Sequence, residues 1–124
     1  MMVQIRNSSV KKSIKFIGDN RLDDAARLLE KVIRNNPNEL QAINLLGQIH
    51  MKEARYTEAI KLLEKSIKLE TKDAAIRFKL GYAYEKSKDY AKAIEQYNKS
   101  LDYAPNNAHV LDALGRCHAQ DERA

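Results

Sequence analysis

The stretch Leu80-Gly81-Tyr82-Ala83-Tyr84 lies in a segment of helical spacing, and its glycine decides the reading. Glycine costs roughly 1 kcal/mol relative to alanine inside a helix, so its presence there needs a packing reason. Working outward, Gly47 stands 34 residues before Gly81 and Gly115 stands 34 after it, each preceded by a leucine (Leu46, Leu80, Leu114). Other series keep the phase: Ala25, Ala59 and Ala93; Leu22, Tyr56 and Tyr90; Ile33, Ile67 and Leu101; Lys31, Lys65 and Lys99. Pro37 and Pro105 are 68 residues apart with Thr71 midway. So many aligned series at one period mark a repeat array.

Within one period the apolar residues follow a helix. Ala42, Ile43, Leu46, Ile49 and His50 form one stripe, and Tyr56, Ala59, Ile60, Leu63, Ile67 and Leu69 a second. Asp73 and Asn107 stand where N-caps are needed. Pro37 and Pro105 end the preceding helices by removing a donor and restricting the residue before them. Each unit is therefore read as a hairpin of two amphipathic helices, A and B. A lone hairpin cannot bury both faces, so neighbours stack into a solenoid. Seven helices are expected, with Gly47, Gly81 and Gly115 at the closest A–B contacts.

Helix A1 carries Ser8, Ser9, Lys12, Ser13 and Lys15, which reads as a wet N-terminal cap. The last helix keeps the stripe Val110, Leu111, Leu114, Cys117 and His118, expected to close the core. His50, Tyr84 and His118 share one slot and read as interhelical packing residues. On the B helices, Glu30–Arg34, Glu64–Lys68 and Glu95–Lys99 are spaced for i, i+4 ion pairs on a solvated face.

Composition narrows the function. The chain has 124 residues, 44% apolar and 31% charged, with 22 Lys+Arg against 17 Asp+Glu for a net charge of +5. That balance is globular, with no run of about 18 apolar residues to span a membrane. The opening Met1–Arg6 lacks the apolar stretch of a secretory signal, so a reducing, cytoplasmic location is expected. Cys117 is the only cysteine, which excludes an internal disulfide and the Cys-rich zinc patterns. Cys117 and His118 are helix neighbours about 100° apart, so they do not form a thiolate–imidazole pair. No phosphate-binding glycine loop and no converging carboxylate pair exists, so no enzyme activity, cofactor or metal site is expected. Net charge is too modest and too interleaved with acids to favour nucleic-acid binding.

The frame Leu46-Gly47…Ala59…Leu63, with Leu80-Gly81-Tyr82-Ala83-Tyr84…Ala93…Tyr97…Pro105, resembles the tetratricopeptide repeat (TPR). The resemblance divides the chain, as one domain, into repeats 6–39, 40–73 and 74–107 and a half repeat or cap 108–124. Departures are Lys12-Ser13 in place of Leu-Gly, serine at Ser66 and Ser100, and Arg77 in the usual Trp place. It implies an all-α, right-handed superhelix of three hairpins plus a C-terminal capping helix, acting as a protein-binding scaffold.

The family's groove positions transfer to Asn7, Val10, Lys11, Ile14 and Gly18, then Gln41, Asn44, Leu45, Gln48 and Lys52. Further along they fall on Ala75, Phe78, Lys79, Tyr82 and Lys86, then His109, Asp112, Ala113 and Arg116. The expected peptide site is Asn44 and Gln48 as backbone-binding amides, Phe78 and Tyr82 as exposed aromatic anchors, and Lys52, Lys79, Lys86 and Arg116 as the positive field. The expected partner is a protein segment with an apolar anchor and flanking acids. The carboxylate clamp of the chaperone-tail subtype is not reproduced, since Val10, Ile14 and Leu45 stand in its polar places. The alternative is a scaffold that self-associates through the terminal helix.

Overall fold

A computed structural model describes residues 7–123. The beginning of the first repeat at Arg6, and the stretch Met1–Arg6, lie outside the described residues. Seven helices follow one another: α1 Ser8–Gly18, α2 Leu22–Asn35, α3 Leu40–Lys52, α4 Tyr56–Leu69, α5 Ala74–Lys86, α6 Tyr90–Tyr103 and α7 Ala108–Arg123. The B helices α2, α4 and α6 begin 34 residues apart, as do the A helices α3, α5 and α7. Each helix packs on the next, and α1 also touches α3 and α5 touches α7, so the A helices share a layer. The architecture is an all-α superhelix of three hairpins and a seventh helix.

Caps set the helix boundaries. Asn7 Oδ1 accepts from Ser9 N at 2.9 Å and Asp73 Oδ1 from Ile76 N at 3.1 Å. Asn107 Oδ1 accepts from His109 N at 3.0 Å. Each A helix ends in the same double bond. Arg21 N donates to Phe16 O (2.7 Å) and Asn20 N to Ile17 O (3.0 Å), repeated as Arg55 N to His50 O and Ala54 N to Met51 O, then Asp89 N to Tyr84 O and Lys88 N to Glu85 O. This Schellman closure needs a left-handed residue at its hinge. Asn20, Ala54 and Lys88 hold it with φ of 59°, 58° and 65°. Asparagine tolerates that region, whereas alanine and lysine are strained there. Gly18, the one glycine outside the 34-residue series, lies two residues before its hinge.

The glycines divide into three cases. A Cβ on Gly81 would lie 2.7 Å from the Tyr97 ring, and one on Gly47 would lie 3.2 Å from Leu63 Cδ2. These are the close A–B approaches expected from the period. Gly115 has nothing within 4 Å, because among the described residues no B helix covers α7.

Two cores result. Val10, Ala25, Leu29, Val32, Ala42, Leu46 and Ile49 fill the first, and a second runs from Ala59 and Leu63 through Leu80, Ala93 and Tyr97 to Val110, Ala113 and Cys117. Three expectations are corrected here. Ser13 is fully buried rather than on a wet face, in the slot taken by Gly47 one repeat later, and its hydroxyl donates to Ser9 O at 2.8 Å. In α7 the buried stripe is Val110, Ala113 and Cys117, while Leu111 is half exposed and His118 exposed, for want of a covering helix. Of the three B-helix ion pairs only Glu95–Lys99 closes, at 3.6 Å, since the Glu64 carboxylate instead accepts the Tyr84 hydroxyl.

The departures at Ser66, Ser100 and Arg77 are each satisfied. Ser66 Oγ donates to Asn44 Oδ1, and Ser100 Oγ to Ala74 O at 2.8 Å. Arg77 is buried without a carboxylate; its guanidinium donates to Thr71 O at 3.1 and 3.3 Å and to Gln96 Oε1 at 3.1 Å.

Two stability outcomes follow. Gly81→Ala is expected to lose about 1–3 kcal/mol by overpacking against Tyr97, while Gly115→Ala gains up to about 1 kcal/mol of helix propensity. Urea titrations of the two variants check the opposite signs. Separately, Ala54→Gly and Lys88→Gly should each raise the melting temperature by relieving about 1 kcal/mol of left-handed strain, while Gly18→Ala should not lower it.

Candidate functional site

The inner wall of the superhelix is carried by the A helices, and their charge differs from that of the B layer. Helices α1, α3 and α5 hold Lys11, Lys12, Lys15, Lys52, Arg77, Lys79 and Lys86 against one acid, Glu85. Helices α2, α4 and α6 are nearly balanced, with Arg27, Lys31, Arg34, Lys61, Lys65, Lys68, Lys92 and Lys99 against Asp23, Asp24, Glu30, Glu58, Glu64, Glu95 and Asp102. The excess positive charge of the chain therefore resides on the A helices.

The eight expected site residues fall into distinct environments. Asn44 and Gln48 lie half-buried one turn apart on α3, but the Asn44 carbonyl oxygen is taken up by the Ser66 hydroxyl, which leaves its amide N–H groups. Lys52 and Lys86 are exposed and Lys79 is half-buried. Among the described residues none of these three lysines has a carboxylate within 4 Å.

Phe78 and Tyr82 differ from expectation, since both are half-buried rather than exposed. The Phe78 ring packs on Tyr97 with centroids 5.7 Å apart and planes tilted by 38°, because the second core extends up to the wall at this point. Lys86 Nζ lies 5.3 Å from the Tyr82 ring centroid, a cation–π contact one turn along the helix. Val10 and Ala113, transferred to the groove by phase, are fully buried.

Arg116 is not a spare cation. Its Nε and Nη2 donate to the two Glu85 oxygens at 3.0 and 3.2 Å, and Glu85 Oε1 also accepts the Tyr97 hydroxyl at 2.7 Å. Burial works to raise the Glu85 carboxyl, but the Arg116 guanidinium and Tyr97 hydroxyl outweigh it and hold the group below the usual carboxylate range. Burial, with Glu85 nearby, pushes the Cys117 thiol up to about 11, so it stays protonated and inert at neutral pH.

Two depressions lie on this surface. One of about 180 Å³ is lined by Ile14, Gln41, Asn44 and Leu45, where α1 meets α3. Ile14 is 42% exposed and forms its apolar floor with Leu45. The other, about 420 Å³, lies where the α5–α6 turn faces α7 and is lined by Glu85, Lys86, Lys88, Tyr90, Arg116, Ala119 and Gln120. Ile14 and Leu45 were legible only as phase positions, since a lone exposed isoleucine carries no motif. Glu85 carried a stronger signal as the one acid of three A helices.

Among the described residues, no three His, Cys, Asp or Glu side chains group so as to hold a metal ion. No described helix is long and apolar enough to cross a membrane.

Stacked helical hairpins with a basic, partly apolar inner wall define a TPR-type helical repeat protein. The chain belongs to the family described as the tetratricopeptide repeat protein 21 C-terminal ARM domain, whose model matches residues 5–117. Among solved structures it is similar to a crystal structure of MamA, with a TM-score of 0.87 and 24% identity over 92% of this chain and 64% to 67% of the chains compared. One of these is MamA 41-end from Desulfovibrio magneticus RS-1, at TM-score 0.87 and 24% identity, covering 92% of this chain and 64% of that one. A further MamA structure, from AMB-1, has a TM-score of 0.89 at 23% identity over 93% of this chain and 63% of that one. The chain thus spans about two thirds of the length of these structures, and the likeness is one of fold. No curated protein matches the chain.

The Glu85 cluster has a pH signature. With its folded pKa depressed, its contribution to stability is present above the unfolded carboxyl value and is lost as pH falls through the folded one. Arg116→Ala should therefore lower the melting temperature at pH 7 and flatten the acid limb below about pH 4.5. Thermal melts across pH 3–7 measure both effects.

Proposed function

We propose that the chain is a protein-interaction module that holds a segment of a partner protein against its inner wall. The observation that carries this reading is the charge separation between the layers. Seven basic side chains meet one acid on α1, α3 and α5, and the three lysines of the wall have no carboxylate partner among the described residues. Helical solenoids without a catalytic constellation act by presenting such surfaces.

The fitting ligand is an extended or short helical segment with one apolar side chain and flanking Asp or Glu. Its anchor belongs in the Ile14–Leu45 depression rather than on Phe78, whose ring is engaged with Tyr97. Gln48 and the Asn44 amide supply hydrogen bonds to its backbone, and Lys52, Lys79 and Lys86 attract its acids. Tyr82 remains a contact surface, with Lys86 held at its ring. Arg116 takes part less, since Glu85 neutralises it. A single buried, protonated thiol suits a reducing, cytoplasmic setting.

Peptides with one apolar anchor among acids should bind at about micromolar affinity, more weakly as salt rises. Ile14→Asp and Lys79→Glu should each weaken binding by about tenfold or more, measured by fluorescence anisotropy. Preference for a basic library, or a salt-independent affinity, would refute the reading.

A further inference from the structure

Outside the groove, α7 presents a face whose counterparts are sheathed in both earlier hairpins. Ile43, Gly47 and His50 on α3 correspond by the 34-residue period to Arg77, Gly81 and Tyr84 on α5 and to Leu111, Gly115 and His118 on α7. On α3 and α5 all six are buried, with Ile43 at 0%, Arg77 at 7% and both His50 and Tyr84 at 8% exposure. On α7 Leu111 is 52% exposed, Gly115 and His118 are exposed, and nothing lies within 4 Å of the Gly115 Cβ position.

The opposite end of the solenoid is closed differently. Phe16 occupies the slot of His50 and Tyr84 in α1, and its ring is covered by Arg21 at 4.5 Å and Lys12 at 5.7 Å. No comparable cover lies over Leu111.

We infer that the Leu111–Gly115–His118 face of α7 is a docking site for an amphipathic helix supplied in trans by a partner protein. The internal hairpins state the chemistry of the occupant. Gly47 receives Leu63, with Leu62 beside it, and Gly81 receives Tyr97, while Arg77 meets Gln96. Ser100 bonds the Ala74 carbonyl in the first turn of α5, the place held by Ala108 in α7. A helix for α7 thus needs a small residue, an adjacent pair three and four positions on with the second large and apolar, and serine or another small residue three further. With Leu111 replacing Arg77, the first of the pair is apolar rather than amide. The segment Ala59-x2-Leu62-Leu63-x2-Ser66 of α4 has this pattern.

Charge agrees with the antiparallel orientation of the internal pairs. Asp121 and Glu122 lie in the last turns of α7, where anions oppose its own dipole. An antiparallel partner would bring its helix N-terminus beside them, where the same charges are favourable. The site is independent of the groove, so the two readings can fail separately.

The probe is a labelled peptide with the sequence of residues 55–70, titrated into the whole chain with a scrambled peptide as control. Saturable binding of the native-order peptide is expected, weakened at least tenfold by Leu111→Asp, by Gly115→Leu, or by Leu63→Asp in the peptide. Tyr82→Ala, which alters the groove, should leave it unchanged. Helical circular dichroism should be retained in both α7 variants, because neither position packs against another element. Equal binding of the scrambled peptide, no binding, or undiminished binding to Leu111→Asp would overturn the inference. So would sedimentation of the protein alone as a dimer that Leu111→Asp converts to monomer, which would assign the face to a second copy.

Discussion

The contact on which the second half of the molecule depends is the approach of α5 to α6 at Gly81. With no Cβ there, the Tyr97 ring lies against the α5 backbone, fully buried. That placement carries the Tyr97 hydroxyl to Glu85, and Glu85 in turn holds Arg116 on α7. One missing methyl therefore sets the A–B distance and positions an acceptor that ties the seventh helix to the fifth. Phe78 packs on the same ring, which draws an aromatic of the inner wall into the core.

The first half solves the same packing problem with different atoms. Gly47 receives Leu63, a smaller and purely apolar group, and no buried hydroxyl follows from it. In α1 the slot holds Ser13, whose hydroxyl bonds back to its own helix. Replacing glycine with serine removes the deepest approach while leaving no polar group unsatisfied. The repeats are thus equivalent in spacing but not in chemistry, and the polar network is concentrated where α5, α6 and α7 meet.

These differences also shape the surface available to partners. Where α1 lies beside α3, Ile14 and Leu45 are left facing solvent; where α5 is drawn onto Tyr97, its aromatics are partly withdrawn. Lysines on the inner wall remain unopposed because the one acid of those helices is turned into the α5–α6–α7 junction. The wall pairs an apolar depression near its N-terminal end with a positive field along its middle. Opposite charges interleaved on the B layer leave the outer surface nearly neutral by comparison.

Sequence alone determined the period, the seven helices and the phase of the close contacts, because spacing recurs in the chain whatever the neighbours are. It also marked Asp73 and Asn107 as caps, since capping is local chemistry within one turn. The three left-handed hinges at Asn20, Ala54 and Lys88 were not legible, because no glycine marks them and the Schellman closure imposes the conformation. Tertiary structure alone decided which equivalent residues are buried. Phe78, Arg116, His118 and Gly115 each follow the repeat phase, yet their exposure depends on whether Tyr97, Glu85 or a covering helix stands opposite. Periodicity places a side chain on a face; burial and charge pairing belong to the partner that the face meets.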